Sequence, residues 1–371
     1  MASGADKPVV FRDFVSTAPD ARFKTEAGRY HLYVSLTCPF ACRCLAVLYM
    51  KGLEHVIGVS VTHPTFQRTR PNDHEDTHCG WAFVKPTDPP LAATNGKGAF
   101  PCTGCVPDTV NGVKFVRDLY EMAGGKKVTF SVPVLWDKQE KTIVNNESPE
   151  IMRMLNNAFN ALAKHPEVDL YPEALQSTID DSAAWVGPHI NMAVYKCGFA
   201  ADQAAYDAGF KDLFSGLDRA EALLGGRRYL TGDTVTEVDI KLFMTLIRFD
   251  EAYFLCYKTN KKLIRDYPNL CNYVRDLYHI PGIGRTVDMY HIKAGYFTSK
   301  PDMNPNVIIP GGGEAWWAQP HDRADKFGAG RRGGGGALRW LQRLPEWAPH
   351  AAASAAAALA VGAALGSSRR R

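Results

Sequence analysis

The sequence predicts an α/β domain over residues 28–164 followed by an all-helical domain over 165–313. Three observations carry this reading. The chain has 371 residues, more than a single hydrophobic core usually serves. Two apolar runs near the start, Tyr30–Ser35 and His55–Val61, read as strands joined by a helical pattern at 39–51, which is the order of a βαβ unit. After His165-Pro166 the apolar residues recur only at helical spacing.

Residues 1–27 form an N-terminal extension ahead of the first strand. Beyond the βαβ unit, residues 64–114 are rich in Pro, Gly, Thr and Asp and read as a long irregular connection, which suggests a functional loop or an insertion. A helical pattern follows at about 115–123. Two further strands, Val132–Trp136 and Thr142–Val144, flank the polar hairpin loop Asp137-Lys138-Gln139-Glu140-Lys141, and a helix is expected over 149–164. In the second domain the expected helices are 173–197, 202–224, 237–256, 260–279 and 282–294. Gly225-Gly226 stops the second of these, and Pro268 and Pro281 interrupt the later ones. Thr236 and Asp239 are spaced as a capping box, with Val235 and Ile240 as its hydrophobic staple.

A low-complexity tail is expected over 314–371, where nine Lys and Arg face four Asp and Glu, a net of +5. The whole chain carries +4, so the folded body is near −1 and has no nucleic-acid footprint. The Ala-rich run 351–366 is too short and too weakly apolar to span a bilayer. Nine cysteines without framework spacing point to reduced thiols in a reducing compartment. Met1–Pro8 lacks an apolar signal core, so a cytoplasmic location is expected, with an organellar (plastid or mitochondrial) address left open.

One residue stands out chemically. In Ser35-Leu36-Thr37-Cys38-Pro39-Phe40-Ala41-Cys42-Arg43, Pro39 suits the first position of a helix, where its missing N–H costs nothing. Cys38 then falls at the cap, where open backbone N–H groups and the positive end of the dipole favour a thiolate. Three segments surround it with a candidate ligand cradle. In Ser131-Val132-Pro133-Val134 a proline at the start of a buried strand fits either a cis bond, leaving the Val132 backbone to pair with an extended peptide, or an edge strand. In Glu147-Ser148-Pro149-Glu150 Ser148 caps a helix starting at Pro149. That terminus suits a carboxylate, with Glu147 beside it for an ammonium group, or is a plain N-cap. Gly80-Trp81-Ala82-Phe83 in the long connection supplies an aromatic wall or simple packing. His78, Cys79, Cys102 and Cys105 are the residue types of a Cys₃His zinc site, although a lone C-x-x-C specifies little and free loop thiols are the expectation.

Taken together, these residues resemble the thioredoxin-like glutathione-binding domain and its all-helical partner. More narrowly, they resemble the glutathionyl-hydroquinone reductases, the xi class of glutathione transferases. The resemblance runs from about Phe11 to Gly313 and rests on Val132–Trp136, Thr142–Ser148, Glu150–Phe159, Asn191–Ala200, Arg248–Tyr253 and His291–Tyr296. It implies Cys38 as nucleophile, Tyr195 as proton donor and acceptor, and Tyr253 and Tyr296 as phenols that lower the nucleophile's pKa. It also implies that Trp81, Val132, Pro133, Glu147 and Ser148 hold glutathione, the co-substrate, with no metal and no membrane or nucleic-acid partner. The activity implied is reduction of glutathionyl-hydroquinones through a Cys38–glutathione mixed disulfide, by a homodimer.

The chain departs from the family pattern at the active helix, where Phe40 and Cys42 replace Trp and His, and before Val132, where Ser131 stands for Arg. Lys126 or Lys127 is the candidate replacement for that Arg. If the lost His tuned Cys38, this chain is slower or more alkaline in its optimum. Two other functions remain open on the same fold. One is simple cysteine chemistry: thiol transfer, deglutathionylation or dehydroascorbate reduction. The other is glutathione binding without catalysis.

Overall fold

The computed structural model describes residues 10–125, 128–312 and 314–328. The extension enters as two short parallel strands, β1 (Val15–Ser16) and β2 (Phe23–Lys24). Just before them Asp13 N donates to the Val144 carbonyl at 3.1 Å, so the extension covers a sheet edge that would otherwise expose unpaired amides.

β3 (Tyr30–Val34) is buried at every position, the pattern of a strand covered on both faces. α1 (Pro39–Met50) returns the chain to β4 (Gly58–Val61), which pairs parallel to β3. The sequence expects this strand from His55, but residues 53–57 form a tight turn in which the Val56 and Ile57 amides donate to the Leu53 carbonyl. The long connection is ordered and carries β5 (Gln67–Arg68) and β6 (Cys79–Gly80), an antiparallel pair. Its return is fixed by Asp108, whose carboxylate accepts from Tyr33 Oη at 2.8 Å and from the amides of Val110 at 2.9 Å and Val113 at 3.0 Å.

α2 (Val116–Met122) precedes β7 (Val134–Asp137) and β8 (Thr142–Asn145), which are antiparallel to their neighbours. The four-stranded sheet runs β4-β3-β7-β8, and the Val132–Pro133 bond ahead of β7 is cis. Asp137 closes the polar hairpin by accepting from the amides of Gln139 and Glu140. α3 (Ser148–Asn157) is shorter than the expected 149–164, with a separate 3-10 turn at Asn160–Leu162. Together these elements form the thioredoxin-like domain that the strand and helix order implied.

The second domain is helical, with breaks that a periodic reading smooths over. The expected helix 173–197 is α4 (Gln176–Val186), a π-turn Gly187–Asn191 and α5 (Ala193–Gly198). Gly187-Pro188 marks the break, since proline has no N–H for the ladder. α6 (Gln203–Leu224) matches its expectation closely. The expected 237–256 divides into α7 (Glu237–Arg248), a π-turn Phe249–Tyr253 and α8 (Phe254–Cys256). Thr236 N donates to Asp239 Oδ2 at 2.9 Å, so the capping box forms. α9 (Pro268–Tyr278) begins at its proline rather than at 260. α10 (Met289–Thr298) starts at the Asp288 cap, whose Oδ1 accepts from His291 N at 2.9 Å. That register is displaced toward the C-terminus from the expected 282–294.

Residues 314–328, placed by sequence in the tail, pack against the helical domain. Trp316 and Trp317 are buried, and Arg323 in α11 (Arg323–Phe327) donates to the carbonyls of Leu224, Arg227 and Arg228. The Ala-rich run, the remainder of the tail, and Lys126 and Lys127 lie outside the described residues. Among the described residues no helix is long and apolar enough to cross a membrane. α1 packs against α3 on one side and α7 on the other, so the helix that starts at Cys38 is shared by both domains.

Candidate active site

Cys38 occupies the cap of α1 with extended backbone geometry (φ −81°, ψ 117°), and Pro39 is the first helical residue. Its amide donates to the Ser35 carbonyl at 3.1 Å, and its Sγ lies 3.5 Å from the Val132 carbonyl. The thiol is half-buried at the floor of a cavity between the two domains. From the first domain the cavity is lined by Cys38, Phe40, Trp81 and the strip Val128–Val132; from the second it is lined by Tyr195, Phe199, Tyr257 and Tyr296.

The protonation of Cys38 results from opposed influences. Burial pushes the thiol up, while the N–H groups of Phe40 and Ala41 and the cations of Arg248 and Arg43 pull it down. Burial wins, and the thiol lies above its ordinary value. The helix-cap effect read from the sequence is present but does not dominate.

Three phenols meet in the second domain. Tyr253 and Tyr296 hydroxyls are 2.9 Å apart, and Tyr195 lies 3.2 Å from Tyr296 and 3.5 Å from Tyr253. All three pKa values are raised, with burial the largest cause in each. The phenols therefore stay protonated and act as donors. Tyr195 and Tyr296 line the cavity, whereas Tyr253 is fully buried behind them and reaches the site through its hydroxyl partners.

The aromatic wall is more extensive than the Trp81 reading. Phe40, Tyr195 and Phe199 form a stack, with ring centroids 6.1 Å and 6.3 Å apart. Arg43 lies over Phe40 at 4.5 Å, so Phe40 maintains the aromatic wall where the family pattern has Trp. Trp81 meets Phe66 edge-on at 4.4 Å.

The remaining expected residues divide. Val132 lines the cavity, with Pro133 buried immediately after it. Glu147 and Ser148 lie outside the cavity lining: Glu147 is the exposed cap of α3, and Ser148 is a buried first-turn residue whose carbonyl accepts from Cys44 Sγ at 3.4 Å. Sequence reading placed the cap one residue too late. His78 and Cys79 line the cavity, but Cys102 and Cys105 are buried in a separate cluster with Val84. Among the described residues no group of three His, Cys, Asp or Glu is arranged to hold a metal ion.

Cys42 points away from the cavity. Arg248 donates to its Sγ at 3.1 Å, and burial pushes the Cys42 thiol up to about 11. Arg248 itself, Tyr257, Phe66 and Gly295 escaped sequence reasoning as site residues. Gly295 carries a readable signal, a glycine inside a helix, where it costs about 1 kcal/mol relative to alanine. A Cβ there would lie 2.2 Å from the Thr37 side chain, so glycine lets α10 approach the residue preceding Cys38.

Comparison with known proteins agrees with this geometry. The family description "Glutathione S-transferase, N-terminal domain" matches residues 37–158, and "Glutathione S-transferase, C-terminal domain" matches 203–276. The chain is 43% identical to the glutathionyl-hydroquinone reductase YqjG of Escherichia coli over 309 residues, covering 82% of this chain and 86% of that protein. The xi-class glutathione transferase of Natrialba magadii superposes with a TM-score of 0.76 at 42% identity, covering 86% of this chain and 90% of that one. The glutathione-bound structure of YqjG superposes with a TM-score of 0.75 at 40% identity, covering 86% and 97%.

Proposed function

The chain belongs to the glutathione S-transferases, within the xi-class glutathionyl-hydroquinone reductases, and we propose the following division of labour for its reaction. The protein reduces glutathionyl-hydroquinones with glutathione as co-substrate. Cys38 attacks the glutathione sulfur, the sulfur–carbon bond to the ring breaks, and the bonding pair leaves with the aromatic carbon. Tyr195 delivers a proton to that carbon and releases the hydroquinone. The Cys38–glutathione mixed disulfide is then attacked by the thiolate of a second glutathione, which frees Cys38 and releases oxidised glutathione.

The observation that supports this best is the placement of one thiol and two protonated phenols, Tyr195 and Tyr296, on a single aromatic cavity, with the buried Tyr253 hydroxyl bonded to Tyr296 behind them. Simple disulfide exchange needs no proton donor for carbon. Trp81 and the Val132–Pro133 segment are proposed to hold the glutathione moiety, with the Val132 backbone facing its cysteinyl unit. Glu147 and Ser148, at the start of α3, are proposed to take its charged end groups. A cytoplasmic homodimer belongs to the same proposal. All nine cysteines are free thiols, as a reducing compartment requires.

The test is incubation with glutathionyl-menadiol, followed by mass spectrometry of the Cys38 peptide and chromatography of the products. A glutathione adduct on Cys38 with release of menadiol is expected, and Cys38→Ser should abolish both. Turnover of mixed disulfides alone, without hydroquinone release, would assign the protein to thiol transfer instead.

A further inference from the structure

Arg248 ends α7 and is fully buried. Its Nε donates to the Thr37 carbonyl at 3.1 Å. One terminal nitrogen donates to the Leu36 carbonyl at 2.9 Å and to Cys42 Sγ at 3.1 Å; the other donates to the Met244 carbonyl at 2.7 Å. Among the described residues its hydrogen-bond partners are carbonyls and sulfur atoms, with no carboxylate. A buried guanidinium without a counter-ion is costly, because hydrogen bonds from neutral acceptors replace only part of its hydration. Two of the three carbonyls that it holds belong to the two residues immediately before Cys38.

We propose that Arg248 is the positioning residue and counter-charge of the Cys38 thiolate, fixing the Leu36–Thr37 carbonyls at the entry to α1 and offsetting the negative charge as it forms. The inference rests on Cys38 as the nucleophile of the proposed reaction. It explains how a thiol raised by burial is still used as a thiolate: ionisation converts an uncompensated buried cation into half of an ion pair. Arg248 does not touch the Cys38 sulfur and acts through the turn and through its field.

Other groups also face Cys38. α1 contributes Arg43, Cys42 and Cys44; α5 contributes Tyr195; the following elements contribute Tyr253 and Tyr296; and Asp288 faces Cys42 from the cap of α10. His78 lines the cavity from the long connection. Burial pushes the thiols and phenols up, so they remain neutral. Arg43 is the second cation pulling the thiol down, and it is engaged over the Phe40 ring.

The test is the rate of Cys38 alkylation by iodoacetamide as a function of pH, read by peptide mass spectrometry on the full chain without glutathione. Arg248→Met should move the apparent pKa of Cys38 up by about one unit and slow alkylation near neutrality about tenfold. Arg248→Lys restores the charge but not the planar fork, so its pKa should return toward the parent value while turnover stays low. Cys42→Asp places a carboxylate against the guanidinium and neutralises it in place. It should reproduce the upward shift without removing Arg248, whereas Cys42→Ser should not. An unchanged alkylation pKa in folded Arg248→Met or Cys42→Asp protein would overturn the inference. Loss of the fold in both would overturn it too, by marking Arg248 as a residue that only joins the domains. Alkylation needs no hydroquinone, so a shift in a protein inactive on glutathionyl-hydroquinones would refute the substrate and leave Arg248 in its role.

Discussion

At Cys38 the backbone offers stabilisation that the apolar surroundings oppose. Two N–H groups of α1 and two arginines favour the thiolate, yet burial keeps the thiol above its ordinary value. The sign is that less thiolate exists at pH 7 than for an ordinary cysteine, and its fraction keeps rising where an exposed thiol would have levelled off. Iodoacetamide alkylation of the parent chain should therefore continue to accelerate beyond pH 9; a plateau near pH 8 would contradict this balance. The Tyr195 phenol, held far above its ordinary value, should show no deprotonation over the same range. Tyr195→Phe should lower kcat by about 10²–10⁴ while Cys38 still alkylates, because the proton is needed at carbon and not at sulfur. Stopped-flow measurement of hydroquinone release separates the two steps. That Cys38 and Tyr195 line one cavity was legible, Cys38 from its Cys-Pro string and Tyr195 only through the family resemblance. Arg248 was not, since a single arginine in the apolar run Leu242–Phe249 gives no sign that its side chain crosses to the other domain. Cys42 stands where the family pattern has His, but helix phase turns it toward Arg248 and away from the cavity.

Among the elements, the strands of the four-stranded sheet were the most legible, because Tyr30–Val34 and Val134–Asp137 are short apolar runs bounded by turn residues, whereas the two-residue strands β1, β2, β5 and β6 carry no such run. Helix boundaries were read less well, and for a definable reason. Gly187-Pro188 is the sequence sign of one break, but apolar residues continue through Phe249–Tyr253, where the backbone also widens into a π-turn, so there only the hydrogen-bond ladder reveals the break. The β3–β4 pair carries a prediction of its own. His31 on β3 meets Ser60 Oγ on β4 at 2.8 Å, and burial lowers its pKa from 6.5 to about 4. The folded state thus binds its proton less readily than the unfolded chain. The associated stability is fully present above pH 6.5 and is lost as pH falls toward about 4. The total is about 3 kcal/mol at 1.4 kcal/mol per unit. Urea unfolding at pH 7 and pH 4.5 should show His31→Gln losing less stability on acidification than the parent; an equal loss would assign the acid sensitivity elsewhere.

Over the whole molecule, the two domains share one core through α1, which packs on α3 and α7, so the proposed nucleophile, Cys38, sits where a change in either domain is felt. The overall plan was legible from the switch in periodicity at His165-Pro166. The start of the tail was not. Gly311-Gly312-Gly313 reads as the end of a body, yet the chain continues onto α9 and buries Trp316 and Trp317. Composition marks a glycine run but says nothing about what the next residues touch. Arg323 makes this segment structural. It is fully buried, donates to three backbone carbonyls at and just beyond the end of α6, and lies close to Asp276, which holds Arg228 through two hydrogen bonds of 2.8 and 2.7 Å. Two buried tryptophans, at roughly 1.5–3 kcal/mol each, together with the arginine contacts, outweigh the entropy cost of holding the segment, because its other residues are exposed or only partly buried and weakly held. A chain stopped after Gly312 should therefore melt lower by roughly 6 °C or more than one stopped after Gly328, on the scale of about 2–4 °C per kcal/mol. Calorimetry of the two truncations isolates residues 313–328 from the rest of the tail. Equal melting temperatures would show that the docked segment adds nothing to the stability of the helical domain.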